Sequence, residues 1–99
     1  EAPETREPWH DLAKWAYEND EWRLCLDACM AGLRITERPL AYLSNGEAWG
    51  PALHDYAAIA CYRIGLFHEA KFHGEEAQRL DPYDERLAAN LRDYREKAA

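Results

Sequence analysis

One pattern occurs twice in this chain at a constant offset of 45 residues: Trp9, Leu12, Ala13, Trp22, Cys25, Gly32, Leu33 and Ile35 fall opposite His54, Ala57, Ala58, Phe67, Ala70, Ala77, Gln78 and Leu80. In each copy the apolar and small residues step by three and four, the period of one helical face, and turn-forming residues divide the copy into two such faces. A helix-turn-helix unit cannot bury its apolar side alone, so two units must stack on each other. The pattern therefore predicts an all-α chain. Its 99 residues bury roughly 60% of their unfolded surface, enough for one core and no second domain. Low hydrophobicity with high charge would have meant disorder, but 47% of the residues are hydrophobic and 12% aromatic, which supplies a core.

Residues 1–7 are polar and aperiodic and read as a flexible leader or linker remnant. The first hairpin is expected over 8–36. Pro8 suits a first helical turn, where its missing N–H would have been unpaired anyway, and it precedes a stripe of Trp9, Leu12, Ala13, Ala16 and Tyr17. That helix should run over 8–19, with Asn19-Asp20 supplying a turn and an N-cap for a second helix over 21–35. Pro39, Asn45-Gly46 and Gly50 break the period over 37–50, an inserted loop whose Leu40, Tyr42, Leu43 and Trp49 should pack onto the helices. The second hairpin is expected over 51–82. Pro51 opens a helix through 64, Gly65 stands where a left-handed residue would end it, and a helix over 67–80 stops at Asp81-Pro82. Asp84 can cap a last helix over 84–97, with Leu87, Ala88, Leu91 and Tyr94 on one face and Arg86, Arg92, Asp93, Arg95 and Glu96 mostly elsewhere, the pattern of a terminal capping helix.

Twelve basic against 19 acidic side chains leave a net charge of −7, so no dense cationic surface is available for nucleic-acid phosphates. The longest apolar run is the seven residues from Tyr56 to Tyr62, too short to cross a membrane, and no basic stretch precedes an apolar one at the start. The chain begins at Glu1 without methionine, which leads us to expect a piece of a longer protein. Three cysteines are an odd set for a secreted scaffold, and a reducing cytoplasm is the simpler setting.

The second unit resembles the tetratricopeptide motif in Gly65, Phe67, Ala70, Ala77 and the ending Leu80-Asp81-Pro82. In the first unit Trp9, Leu12 and Ala13 match the opening tryptophan, leucine and small residue, and Cys25 and Gly32 take the later small positions. The offset of 45 exceeds the 34-residue tetratricopeptide unit by the length of the inserted loop. Departures are His54 for the opening large apolar residue and Glu37 for the closing proline. The resemblance implies a right-handed superhelical stack of two helix-turn-helix hairpins plus a C-terminal capping helix. More specifically, Arg38-Pro39, Tyr42-Leu43, Ala48-Trp49-Gly50, Asp55, Gly65, Ala70, Asp84-Glu85-Arg86-Leu87, Asn90-Leu91 and Tyr94 resemble the tetratricopeptide tail that follows the catalytic domain in some family-2 glycosyltransferases. That likeness implies nucleotide-sugar chemistry upstream of Glu1, and a non-catalytic docking or protein-interaction role for this stretch. The implied partner is a protein or peptide, or the catalytic domain of the same chain. A second copy covering an open face would make a homodimer.

In tetratricopeptide arrays the first helix of each hairpin lines a concave groove. Carried onto this chain, the resemblance implies groove residues His10, Lys14 and Tyr17, flanked by Glu7 and Glu18, and then Asp55, Ile59, Tyr62 and Arg63. A clamp for a peptide carboxylate would need more cations than Lys14 and Arg63, which Glu18 and Asp55 oppose.

Other chemistry finds less support. Cys25 and Cys29 share a helical face and Cys61 could approach them, which suggests a metal or thiol-redox site, yet all three sit at packing positions where cysteine acts as a small hydrophobe. His68 and His73 lie about 140° apart on a helix and cannot share a metal from one face, so both read as solvated surface residues. Ser44, the sole serine, sits beside the Asn45-Gly46 turn and marks no nucleophile. Neither catalytic residues nor a metal or cofactor are expected. A sugar-binding module would use Trp49, Tyr17 and Tyr62 as stacking rings. The small residues of the repeat carry a direct test, because two helices approach closely only where one is notched. Ala70→Leu should overfill its notch and cost about 1 to 3 kcal/mol in a denaturant titration.

Overall fold

The computed structural model describes residues 5–36 and 47–99. Among these, regular structure is wholly helical: α1 (Glu7–Glu18), α2 (Trp22–Leu33), one 3-10 turn (Glu47–Trp49), α3 (Ala52–Arg63), α4 (Phe67–Leu80) and α5 (Glu85–Ala98). Advancing α1 by 45 residues gives the bounds of α3, and advancing the start of α2 gives the start of α4.

The two turns inside the hairpins are the same object. After α1, Asp20 adopts φ 58°, its N–H reaches Tyr17 O at 3.3 Å, and Glu21 N–H reaches Ala16 O at 2.8 Å. After α3, Gly65 adopts φ 87°, its N–H reaches Tyr62 O at 3.3 Å, and Leu66 N–H reaches Cys61 O at 2.8 Å. This pair of bonds around a left-handed residue closes a helix end by satisfying its last carbonyls. Aspartate is one of the few residues other than glycine that tolerates the left-handed region. The expectation that Asn19-Asp20 caps α2 is therefore corrected: Asp20 makes the turn with its backbone, and Glu21 precedes α2 without a side-chain cap. Asp84 does cap α5, its Oδ1 accepting from Arg86 N at 2.9 Å and Leu87 N at 3.2 Å.

Each helix packs on the next in chain order, and α1 also meets α3. The core has two layers that share α3. Ala57, Ala60 and Leu53 join α1 and α2 residues including Ala13, Ala16, Cys25, Ala28 and Cys29. On its other side Ala58 and Cys61 join Ala70, Leu91 and Tyr94. The chain's radius of gyration, 13.0 Å, is that of a compact domain of about this length. No helix among the described residues is long and apolar enough to cross a membrane.

The leader ends earlier than the polar run suggested. Arg6 donates from Nε to Ile35 O at 2.7 Å and from Nη1 to Ala48 O at 3.5 Å, and its guanidinium lies 4.5 Å from the Trp49 ring. Trp49 Nε1 in turn donates to Glu7 Oε2 at 2.9 Å. The start of α1, the end of the first hairpin and the 3-10 turn before α3 are thus tied at one place, and Trp49 packs on the helices as expected. Leu40, Tyr42 and Leu43 lie outside the described residues.

Close approach is visible at two glycines. A Cβ on Gly32 would lie 2.9 Å from Leu53 Cδ1 and 3.1 Å from Trp9 Cβ; one on Gly74 would lie 2.7 Å from Tyr94 Cδ2 and 3.2 Å from Leu91 Cδ1. Alanine within a helix is worth about 1 kcal/mol over glycine, while overpacking costs about 1 to 3 kcal/mol. Tyr94 is a rigid buried ring, so the second term wins. Gly74→Ala should lower stability by up to about 2 kcal/mol in urea titration despite its better helix propensity.

Candidate functional site

Successive residues on a helix point about 100° apart, so three in a row fan across more than half a turn. The first turn of α3 uses this. Leu53 points toward Gly32 of α2 and shares a core layer with Ala13 and Ala16 of α1, while His54 points toward His73 of α4 and Asp55 toward Arg86 of α5. One helical turn therefore holds every other helix of the fold.

Beside it lie two adjoining depressions. The first, of about 360 Å³, is bordered by His10, Lys14, Asp55, Tyr56, Asp84 and Arg86, with Pro51, Ala52 and Leu87. The second, of about 340 Å³, is bordered by Tyr17, Ile59, Tyr62, Arg63, Arg86, Asn90, Asp93 and Tyr94. Arg86 lines both and stands between them. His10, Lys14 and Asp55 of the expected groove border the first, and Tyr17, Ile59, Tyr62 and Arg63 the second.

Their accessibility differs. Lys14 and Arg63 are exposed, Tyr17, Ile59 and Tyr62 half-buried, whereas His10 and Asp55 keep only 5% and 8% of their surface. The last two shape the floor more than they offer contacts. Tyr17 packs edge-on to Trp22 at 5.9 Å and against Tyr56 at 5.1 Å, and the Arg63 guanidinium lies 5.1 Å from the Trp22 ring. Tyr62 is held between Phe67 and Tyr94 at 5.7 and 5.6 Å. The aromatic rings are thus fixed in place, the cheaper condition for binding, since little side-chain freedom remains to be lost.

The contribution of α5 was missed. Arg86, Asn90 and Tyr94 recur at steps of four, a face the helical period makes visible, but the reading of α5 as a cap assigned its charges to solvent. Instead Arg86 grips Asp55 with both terminal nitrogens, Nη2 to Oδ2 at 2.6 Å and Nη1 to Oδ1 at 3.4 Å. The bond to Asp55 raises the Arg86 pKa above its ordinary value, and the fork geometry fixes the guanidinium between the depressions. Burial above all, with the negative charge of Asp55 adding to it, also raises the pKa of the Tyr94 phenol.

Two expectations about other groups are settled by burial. His73 is not solvated: it keeps 5% of its surface, and its Nδ1 meets His54 Nδ1 at 3.0 Å. His68 is exposed. Cys25, Cys29 and Cys61 are all reduced and buried, and Cys25 Sγ donates to Tyr56 O at 3.8 Å. Burial pushes the Cys61 thiol up to about 11, and the bond to Cys25 together with burial pushes Cys29 up as well, while Cys25 is lowered by its bond with Cys29. Among the described residues no three His, Cys, Asp or Glu side chains gather where they could hold a metal ion. No protein-family model, no curated protein and no solved structure matches this chain.

The ion pair can be tested directly. Arg86→Met leaves a buried carboxylate without its partner and should cost about 1 to 3 kcal/mol. The double variant Asp55→Asn/Arg86→Met should lose less than the sum of the two single changes, with a coupling of about 0.5 to 3 kcal/mol in a denaturation cycle. Additive losses would mean that the pair does not hold α5 to α3.

Proposed function

We propose that this chain is a non-catalytic docking module of tetratricopeptide type: a right-handed stack of two hairpins closed by α5, whose α1, α3 and α5 face receives an extended peptide. The partner belongs either to another protein or to the rest of a longer chain, such as the catalytic domain that the likeness to glycosyltransferase tails implies. One observation carries the reading. Residues assigned to a groove by the resemblance, far apart in sequence, border two adjoining depressions on either side of a single side chain, Arg86.

The chemistry of that face suits binding. It combines anchored rings, Tyr17 and Tyr62, with cations on either side, Lys14 and Arg63, and polar groups at Asn90 and Asp93 that can set the register of a bound backbone. Its buried carboxylate, Asp55, is already engaged at both oxygens by Arg86, which disfavours a general-base role. Burial of all three thiols argues against the redox alternative, which needs an accessible thiolate. Trp49, the third ring of the sugar-binding alternative, borders neither depression and is occupied with Arg6 and Glu7.

A displayed library of random peptides panned against the folded chain tests the proposal. Enriched peptides should lose affinity by about tenfold or more on Tyr62→Ala or Arg63→Glu, and keep it on His68→Ala, with folding of each variant checked by circular dichroism. Absence of enrichment, or peptides indifferent to both groove variants, would overturn it.

A further inference from the structure

The His54 and His73 rings face each other with their centroids 5.2 Å apart and their Nδ1 atoms at 3.0 Å. The two distances differ by about two imidazole radii, so both nitrogens lie on the line joining the rings. That is the geometry of a hydrogen bond met head-on. A metal ion shared by the pair would need the two lone pairs to converge from the side on a third point. Only one proton fits between the two nitrogens: one ring donates Nδ1–H, the other accepts on a bare Nδ1, and their tautomers are complementary.

The location gives this bond a mechanical role. The α3–α4 hairpin is closed covalently at Gly65-Leu66, and its contacts near that end are apolar, through Cys61 and Ala70. His54, in the first turn of α3, and His73, midway along α4, join the two helices beyond those contacts, on the side where no chain connection holds them. We propose that His54 and His73 form a one-proton latch across the open end of the α3–α4 hairpin, closed when both rings are neutral and opened when acid places a proton on each.

The first added proton leaves a bond possible, since an imidazolium can donate to a neutral ring; the second sets two N–H groups against each other and breaks it. Surrounding charges act on the two rings in both directions. His54 feels His73, Glu76 and Arg79 from α4 and Arg6 from ahead of α1; His73 feels Glu76 and Glu69 of its own helix. From α5, Arg86 and Arg95 are turned to Asp55 and Glu75. Burial is the largest influence on both rings, lowering His73 below its ordinary value and pushing His54 down to about 4. The unfolded chain therefore takes up protons near pH 6.5 that the folded chain refuses. Stability is complete above that pH and falls as the pH drops toward 4. Asp55, the next residue, anchors α5, so loosening this turn would also loosen the wall between the two depressions. That consequence rests on the docking reading; the latch itself does not.

Two measurements on the free, full chain test it. Long-range proton–nitrogen NMR at about pH 7.5 should find both rings neutral and in opposite tautomers, one Nδ1–H and one Nε2–H. Between about pH 7.5 and 4.5 the unfolding constant should rise by roughly a hundredfold more for the wild type than for His54→Phe. Identical tautomers, a charged ring at neutral pH, or equal pH dependence in the two proteins would overturn the latch. The NMR arm needs no variant to fold, and neither arm depends on peptide binding.

Discussion

Everything in this fold leans on α3, and α3 can serve so many neighbours because it is thin. Ala57, Ala58, Ala60 and Cys61 are all buried, and they divide between two core layers that face opposite ways. Large side chains at those positions would hold α1 and α2 away on one side or α4 and α5 away on the other. The bulky groups are supplied by the partners instead: Trp9, Leu26, Leu91 and Tyr94 reach toward the small residues of α3 and its neighbours. A helix so used has little surface left for polar groups, and two of them sit in its first turn, where His54 and Asp55 take up the two directions that Leu53 leaves open.

Those adjacent residues solve the same problem in opposite ways. Asp55 is a charge taken out of water, tolerable because a forked cation meets both its oxygens, and the cation itself remains half in solvent, which limits the desolvation that burying a complete pair would cost. His54 and His73 avoid charge altogether by sharing a proton between neutral rings. The first contact is exposed to salt on its arginine side. The second has the reverse character, since an uncharged pair offers salt nothing to screen but is vulnerable to protons. Two elements joined to one turn by contacts of different chemistry will not loosen under the same conditions.

How far this could be read from the sequence follows the range of the interactions. Local chemistry was legible: the helical period placed all five helices within one or two residues, Gly65 was read as left-handed, and Asp84 as a cap. The turn at Asn19-Asp20 was read, but its capping role was not found, because aspartate serves both as a cap and as a left-handed residue; the 45-residue offset that pairs Asp20 with Gly65 was the signal available to decide between them. The residues assigned to the face of α1 and α3 came from the resemblance to tetratricopeptide arrays, whose groove positions, carried onto this chain, border the two depressions. Contacts between elements distant in sequence were not legible. A period shows that Arg86, Asn90 and Tyr94 lie together, but not that they face Asp55 and Tyr62, and nothing in the order of residues 54 and 73 announces that two imidazoles will meet.

The position of α5 follows from the same limit and turns it into an argument about the site. Had α5 only closed the stack, Leu87, Leu91 and Tyr94 would have sufficed to bury the outer side of the second hairpin. Its Arg86 instead crosses to the first turn of α3 and lies between the depressions, and Asn90, Asp93 and Tyr94 border the second of them. A helix whose apolar side completes the core while its polar side borders the two depressions is held by both, so the geometry of that face is set by the packing of the whole domain. The small residues that let α3 and α4 approach thereby fix the spacing of that face, and a change in packing at Ala58 or Gly74 would be felt at Arg86 without touching it.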